Sequence, residues 1–311
     1  MKRFIATIAA VALASSMMFA QDLASVTELY NNAAAALSSG ENENALKGFN
    51  DALAQAEALG EEGLEIAGNC KGIIPKIILS LAKDSVKASN FDAALAKLAE
   101  AKESATKFES ADVLDEVATL VPQVLMTKGN SLLTAKDYTA AADVYKQLVA
   151  DDATNGVAAL RLGQALNAAG DVDGAVAAFE QAAANGQDKN ANKQIANINL
   201  KKAAAALKDK KYADAVAAAV KTTEIDPTNA QAFQIAAQAS QLGNKTNDAI
   251  KYFEKYLEVA PDAKNAGQIA YTVGALYQQA KNNAKAKEFY QKASTDPKYG
   301  AEAKKLLDAL K

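Results

Sequence analysis

The sequence contains no histidine. That removes Ser-His-Asp and Cys-His catalysis, imidazole metal sites and imidazole pH sensing together. Its single cysteine, Cys70, has no partner for an internal disulfide and cannot build a cysteine-rich zinc site. With no imidazole base beside it, Cys70 is expected to be a buried, inert thiol rather than a nucleophile. Tryptophan is absent, and only five prolines and sixteen glycines punctuate 311 residues. No stretch sustains the period-two alternation of a half-buried strand. There is no Gly-rich phosphate loop, no Gly-x-Ser-x-Gly elbow and no calcium-loop spacing. Acidic runs such as Glu61-Glu62 and Asp151-Asp152 fall at helix starts and turns, where carboxylates satisfy free N–H groups. Asp171-Val172-Asp173-Gly174 likewise reads as a turn. Neither a catalytic residue nor a metal or cofactor site is indicated. A strong charge of one sign is missing too: 34 basic and 37 acidic residues leave a net of −3, with scattered lysines. That argues against nucleic acid as the main partner.

What is present is alanine and helical periodicity. Apolar residues make up 50% of the chain and charged residues 23%, enough apolar content to bury a core. Alanine favours helix and lets helices approach closely, so the chain reads as all-α. Residues 1–20, MKRFIATIAAVALASSMMFA, have the pattern of a secretory signal peptide. Lys2-Arg3 starts it, an apolar run from Phe4 to Ala14 follows, and Phe19-Ala20 precedes a cut before Gln21. At 17 residues with Thr7, Ser15 and Ser16 inside, the segment from Phe4 to Ala20 is short for a membrane span. No second hydrophobic span follows. A periplasmic or secreted protein, soluble after cleavage, is expected.

From Gln21 onward one pattern recurs. Small residues at Ala45, Ala94, Ala141, Ala175, Ala215, Ala249 and Ala286 each begin the core face of a helix. Four residues later stand Phe49, Leu98, Tyr145, Phe179, Ala219, Phe253 and Tyr290. Seven residues later stand Ala52, Ala101, Leu148, Ala182, Thr222, Tyr256 and Ala293. Twelve residues before the anchors lie Ala33, Ala82, Gly129, Gly163, Ala203, Ala237 and Gly274. Offsets of four and seven share one helix face. Pro227 and Pro261 close two of the units.

This frame resembles the tetratricopeptide repeat family, whose pattern places small residues at the eighth and twentieth positions, an aromatic at the twenty-fourth, Ala at the twenty-seventh and Pro at the thirty-second. Gly163, Leu166, Ala175, Phe179 and Ala182 follow it, as do Ala237, Ala249, Phe253 and Pro261. The unit anchored on Ala215 departs from it at Ala219. The resemblance implies an α-solenoid of about seven helix pairs in a right-handed superhelix, covering 21–298. A C-terminal capping helix is expected over 299–311 and an N-terminal cap over 22–37. The anchors lie 49, 47, 34, 40, 34 and 37 apart, around the 34-residue period of the family. In the two longest intervals, Pro75 and Pro122 each fall 19 residues before the next anchor (94 − 75 = 141 − 122 = 19). Either the first helix of those units is extended at its N-terminal side or a short extra helix stands there.

In this family the first helices line a concave groove. The matching places here hold Asn130; Arg161, Gln164 and Asn167; Asn197 and Lys201; Gln231, Gln234, Gln238 and Gln241; and Gln268, Tyr271 and Gln278. Glutamine both donates and accepts, so a row of it can read a peptide backbone, amides or sugar hydroxyls. The bland alternative is the solvated face of any amphipathic helix. Some family members hold C-terminal carboxylates with a Lys/Asn/Arg clamp. Asn130 and Arg161 occupy two of its places, while Met126 and Gln164 depart from it. The implied function is a non-enzymatic scaffold of the bacterial cell envelope that binds an extended peptide or partner protein. The alternative is a carbohydrate or peptidoglycan binder in which Tyr271 stacks on a sugar.

Overall fold

The computed structural model describes residues 22–310; the expected signal segment lies outside the described residues. Among the described residues there is no strand. Two compact units divide the chain, one ending at Leu148 and one running from Val149 to Lys311.

The first unit holds three helix pairs. Helix α1 spans 22–38 and α2 Asn42–Ala58. Helices α3 (Leu64–Lys87) and α4 (Phe91–Lys107) form the second pair, and α5 (Ala111–Thr134) and α6 (Tyr138–Asp151) the third. The second unit holds four pairs and a last helix. These are α7 (Gly156–Ala169) with α8 (Val172–Ala182), α9 (Asp188–Lys208) with α10 (Tyr212–Ile225), α11 (Ala230–Leu242) with α12 (Thr246–Val259), and α13 (Ala266–Gln279) with α14 (Asn283–Ala293), followed by α15 (Gly300–Ala309). Within each unit consecutive helices pack on one another, and first helices also touch across pairs, α3 with α5 and α9 with α11. This tandem packing is the solenoid arrangement expected from the repeat frame.

All twenty-eight residues of the frame are buried, from Ala33 to Ala293. Size matching explains the residue types. A Cβ added to Gly129, Gly163 or Gly274 would sit 2.6, 2.6 and 2.7 Å from the rings of Tyr145, Phe179 and Tyr290 respectively. Glycine on the first helix thus makes room for a ring from the second. In the pair α3–α4 the same two places hold Ala82 and Leu98, a larger residue facing a smaller one. Residues 22–38 do more than cap an end. They form the first helix of the first pair, with Tyr30 edge-on to Phe49 at 5.3 Å.

The two long intervals are filled by extension. Helices α3 and α5 are each one 24-residue helix, with Pro75 and Pro122 inside them. Each proline stands eleven residues after its helix start (75 − 64 = 122 − 111 = 11). Proline lacks an N–H, so the carbonyls of Lys71 and Ala118 lose their helical donors. The interval of 40 has a different origin. A wide turn at Ala183–Gln187, with Gly186 at φ 82°, ends α8 and starts α9 fifteen residues before Ala203, whereas α7 and α11 start seven before Gly163 and Ala237. Helix α9 therefore carries about two additional N-terminal turns.

Every turn joining a first helix to its second has one geometry. Gly40, Ser89, Lys136, Gly170, Lys210, Asn244 and Lys281 all take positive φ, between 57° and 93°. The following residue then donates its N–H to the carbonyl five residues back, as Asp137 does to Leu132, Lys211 to Ala206 and Asn282 to Tyr277. This closes the helix by satisfying terminal carbonyls. The same following residue caps the next helix in several turns: Asn90, Asp137, Asp171 and Asn282 accept from N–H groups three residues on.

Candidate functional site

Eleven of the twelve residues central to the expected groove lie in the second unit, on α7, α9, α11 and α13; Asn130, on α5, belongs to the first. Each first helix buries a stripe of small and aliphatic residues and turns the rest outward. On α11 the buried side is Phe233, Ala236 and Ala237, and on α13 it is Ile269, Val273 and Gly274. Opposite them Gln231 and Gln241 are exposed while Gln234 and Gln238 are half-buried. None of these four glutamines hydrogen-bonds through its side chain to another described residue. On α7, Arg161 donates from Nη1 to Gln164 Oε1 at 3.0 Å, and Asn167 is half-buried beside them on the same helix. Asn197 and Lys201 of α9 are exposed.

Three of the expected groove residues are already engaged inside the fold. Asn130 Oδ1 accepts the Tyr145 hydroxyl at 2.9 Å, and Gln278 Oε1 accepts the Tyr290 hydroxyl at 2.7 Å. Both tyrosines are buried ring donors from the second helix of the pair. Tyr271 stacks on Tyr299 with centroids 5.3 Å apart and leans on Tyr290 at 5.8 Å. Its ring thus fastens the C-terminal segment to α13. Asn130 and Gln278 retain amide N–H donors, whereas the face of Tyr271 against Tyr299 is occupied.

Beside Asn197 and Lys201, helix α9 adds Lys189, Lys193 and Lys208, which the repeat frame did not mark. Lys189, Lys193, Asn197, Lys201 and Lys208 are all exposed, and at intervals of four, four, four and seven they share one side of the helix. Ile195, Ile198 and Ala203 are buried on the other side. Of the α9 lysines, Lys202 alone is ion-paired among the described residues, at 3.0 Å from Asp173. The frame stops near Asn197 because the additional turns of α9 precede it. The signal was present as the four-residue recurrence starting at Lys189.

Two concavities of the second unit lie away from these faces. One, of about 760 Å³, opens between α12 and α14 and is lined by Glu254, Glu258, Lys264, Lys285, Phe289 and Asp296 among others. Several of its charges are matched: Lys285 and Lys292 pair with Glu288, and the Tyr277 hydroxyl donates to Glu254 Oε1 at 2.7 Å. The other, of about 480 Å³, sits between α10 and the α11–α12 turn and includes Tyr212, Val216, Ser240 and Lys245. Neither is lined by an expected groove residue. In the first unit Cys70 is fully buried, and desolvation pushes its thiol up to about 11. The described residues hold no group of three His, Cys, Asp or Glu that could bind a metal, and no described helix is long and apolar enough to cross a membrane.

No curated protein matches the chain. A family model described as Tetratricopeptide repeat matches residues 132–198, from the end of α5 into α9. The resemblance read from the anchor frame is borne out by that match. Among solved structures the chain is similar to one described as "Crystal structure of MamA protein", at 17% identity over 58% of this chain and 94% of that one, with a TM-score of 0.35. Another is MamA from Desulfovibrio magneticus RS-1, at 15% identity over 60% and 96%, with a TM-score of 0.32. A third is YrrB, described as "a TPR protein with an unusual peptide-binding site", at 18% identity over 58% and 91%, with a TM-score of 0.32.

Proposed function

We propose that this chain, a tetratricopeptide-type repeat protein, is a non-enzymatic scaffold that binds an extended peptide or partner protein on the first helices of its second unit. The supporting observation is the state of the α11 glutamines. Gln231, Gln234, Gln238 and Gln241 line one side of a helix whose other side is buried, and their amides have no partner among the described residues. An extended peptide offers alternating N–H and C=O groups that such amides pair with from either end. A surface carried on packed helices is held in place before binding, so little ordering cost is added. The non-enzymatic reading is supported by the absence of histidine, which removes imidazole-assisted nucleophiles, and by the raised, buried thiol of Cys70. A site in the bacterial cell envelope rests on the pattern of residues 1–20.

The test is affinity capture from an envelope extract with the chain as bait, read by mass spectrometry. The control bait carries Gln231→Glu, Gln234→Glu, Gln238→Glu and Gln241→Glu. A defined protein held by the parent and lost by the control supports the reading. Equal recovery on both baits, or glycan alone in the eluate, overturns it.

A further inference from the structure

The two units treat the charges of their first helices in opposite ways. In the first unit α1, α3 and α5 carry seven acids and five lysines, and every one of those lysines is ion-paired. Lys71 meets Glu57, Lys76 meets Asp112, Lys83 meets Glu116, Lys87 meets Asp84 and Lys128 meets Asp92. In the second unit α7, α9, α11 and α13 carry six basic side chains against a single acid, Asp188. Its second helices, α8, α10, α12 and α14, carry eight acids against six lysines. The first-helix layer of this unit is therefore basic in a chain whose net charge is −3. Of its six basic residues only Lys202 pairs with a described carboxylate; Arg161 bonds to the Gln164 amide, and Lys189, Lys193, Lys201 and Lys208 pair with no described carboxylate.

These four lysines are not dispersed. They occupy the exposed side of α9, with Asn197 between Lys193 and Lys201. Helix α9 touches α11, whose exposed side carries the glutamine row and no charge of either sign. Like charges four residues apart disfavour a helix slightly. The arrangement thus stands without an internal counter-charge, and a bound anion would relieve it.

We infer that the α9–α11 face takes an acidic extended segment of a partner protein, its carboxylates meeting Lys193, Lys201 and Lys208 and its backbone meeting the α11 glutamines. This rests on the reading of that face as a peptide-binding surface and adds the chemistry of the peptide. From Lys193 to Lys208 the helix rises about 22 Å, which about seven extended residues span. Lys193 to Lys201 corresponds to three or four residues of such a strand, and Lys201 to Lys208 to about three. The fitting segment therefore carries Asp or Glu at roughly every third or fourth position. Complementary charge of this kind raises the association rate and makes binding sensitive to salt.

The experiment measures fluorescence anisotropy of three labelled twelve-residue peptides on the purified chain at low and high salt. One carries Glu at every third position in a Ser/Ala background, one has Gln in those places and one has Lys. The expected result is binding of the Glu peptide alone, weakened by salt. Neutralising Lys193→Gln, Lys201→Gln and Lys208→Gln together weakens it by roughly two- to fivefold per charge. The matching set in the first unit, Lys71→Gln, Lys83→Gln and Lys128→Gln, leaves it unchanged. Equal binding of the Glu and Gln peptides, unaffected by the α9 changes but lost with the α11 glutamines, keeps the peptide-binding surface and overturns its acidic preference. Absence of binding by all three, or a single-stranded RNA of equal charge displacing the Glu peptide completely at equal concentration, overturns the inference.

Discussion

Gly163 on α7 and Phe179 on α8 approach so closely that a Cβ on the glycine would lie 2.6 Å from the ring. The ring is fully buried, so it has no free space into which to retreat. Gly163→Ala is therefore expected to destabilise the chain by about 1–3 kcal/mol through overpacking. Shrinking the ring should compensate: Gly163→Ala with Phe179→Leu recreates the combination found at Ala82 and Leu98. Urea unfolding of the two single variants and the double variant measures this as a coupling energy. Additive losses would show that the two positions do not share the same space.

Tyr277 connects the fold to alkaline pH. Its hydroxyl donates to Glu254, and desolvation together with that carboxylate raises its ionisation to about 12. An unfolded tyrosine ionises near 10. A group whose pKa is raised on folding contributes stability below the unfolded value and loses it as pH rises through the folded one. The contribution of Tyr277 is therefore whole below about pH 10 and falls away from there to about pH 12. Tyr277→Phe should flatten the fall of Tm across that window relative to the parent. Identical slopes for both proteins would remove Tyr277 as a source of the alkaline loss.

Cys70 should be chemically silent until the fold opens. It is fully buried in α3, and its thiol is pushed up to about 11 by desolvation, so at pH 8 almost none of it is thiolate. Native protein is expected to react with a thiol reagent only at the rate of opening, and urea should release one thiol per chain. Fast stoichiometric labelling of the folded protein would contradict its placement.

The repeat frame was legible because it is made of small residues at fixed offsets, and close packing leaves no latitude there. Ala45, Phe49 and Ala52, and their counterparts to Ala286, Tyr290 and Ala293, are buried as that periodicity requires. The proline spacing limited the two long units to extension or an extra helix, and Pro75 and Pro122 inside continuous helices settle it as extension. What did not show was the length of α9, because its additional turns follow Gly186 without a proline to mark them. The groove was the less legible part. Helical spacing says which side chains leave the core, but not which are then claimed by a neighbour. Asn130 and Gln278 are claimed by hydroxyls fifteen and twelve residues away, and Tyr271 by a ring from the C-terminal segment. Apart from Lys201, the lysine strip was not legible for a related reason: whether a lysine is paired is decided by the second helices, as Lys202 and Asp173 show.

The turns between first and second helices hold unused stability. Lys210 takes φ 61° although it carries a side chain, and such a left-handed conformation costs an L residue roughly 1–2 kcal/mol. Glycine adopts it freely but loses about 0.5–1 kcal/mol of chain entropy on folding. Lys210→Gly should therefore stabilise the chain by about 0.5 kcal/mol. The next residue, Lys211, stands at the N-cap of α10 and provides no side-chain acceptor, whereas Asp171 in the equivalent place accepts from Gly174 at 2.9 Å. Lys211→Asp should add about 1 kcal/mol through the missing cap. Asp also complements the positive end of the α10 dipole, so its benefit should shrink as pH falls below about 4 and the carboxylate is protonated. The Lys210→Gly benefit should be independent of pH over the same range. Thermal melts of both variants at pH 7 and pH 3 separate the two contributions. A stabilised Lys211→Asp whose gain persists undiminished at pH 3 would mean that the carboxylate is not capping α10.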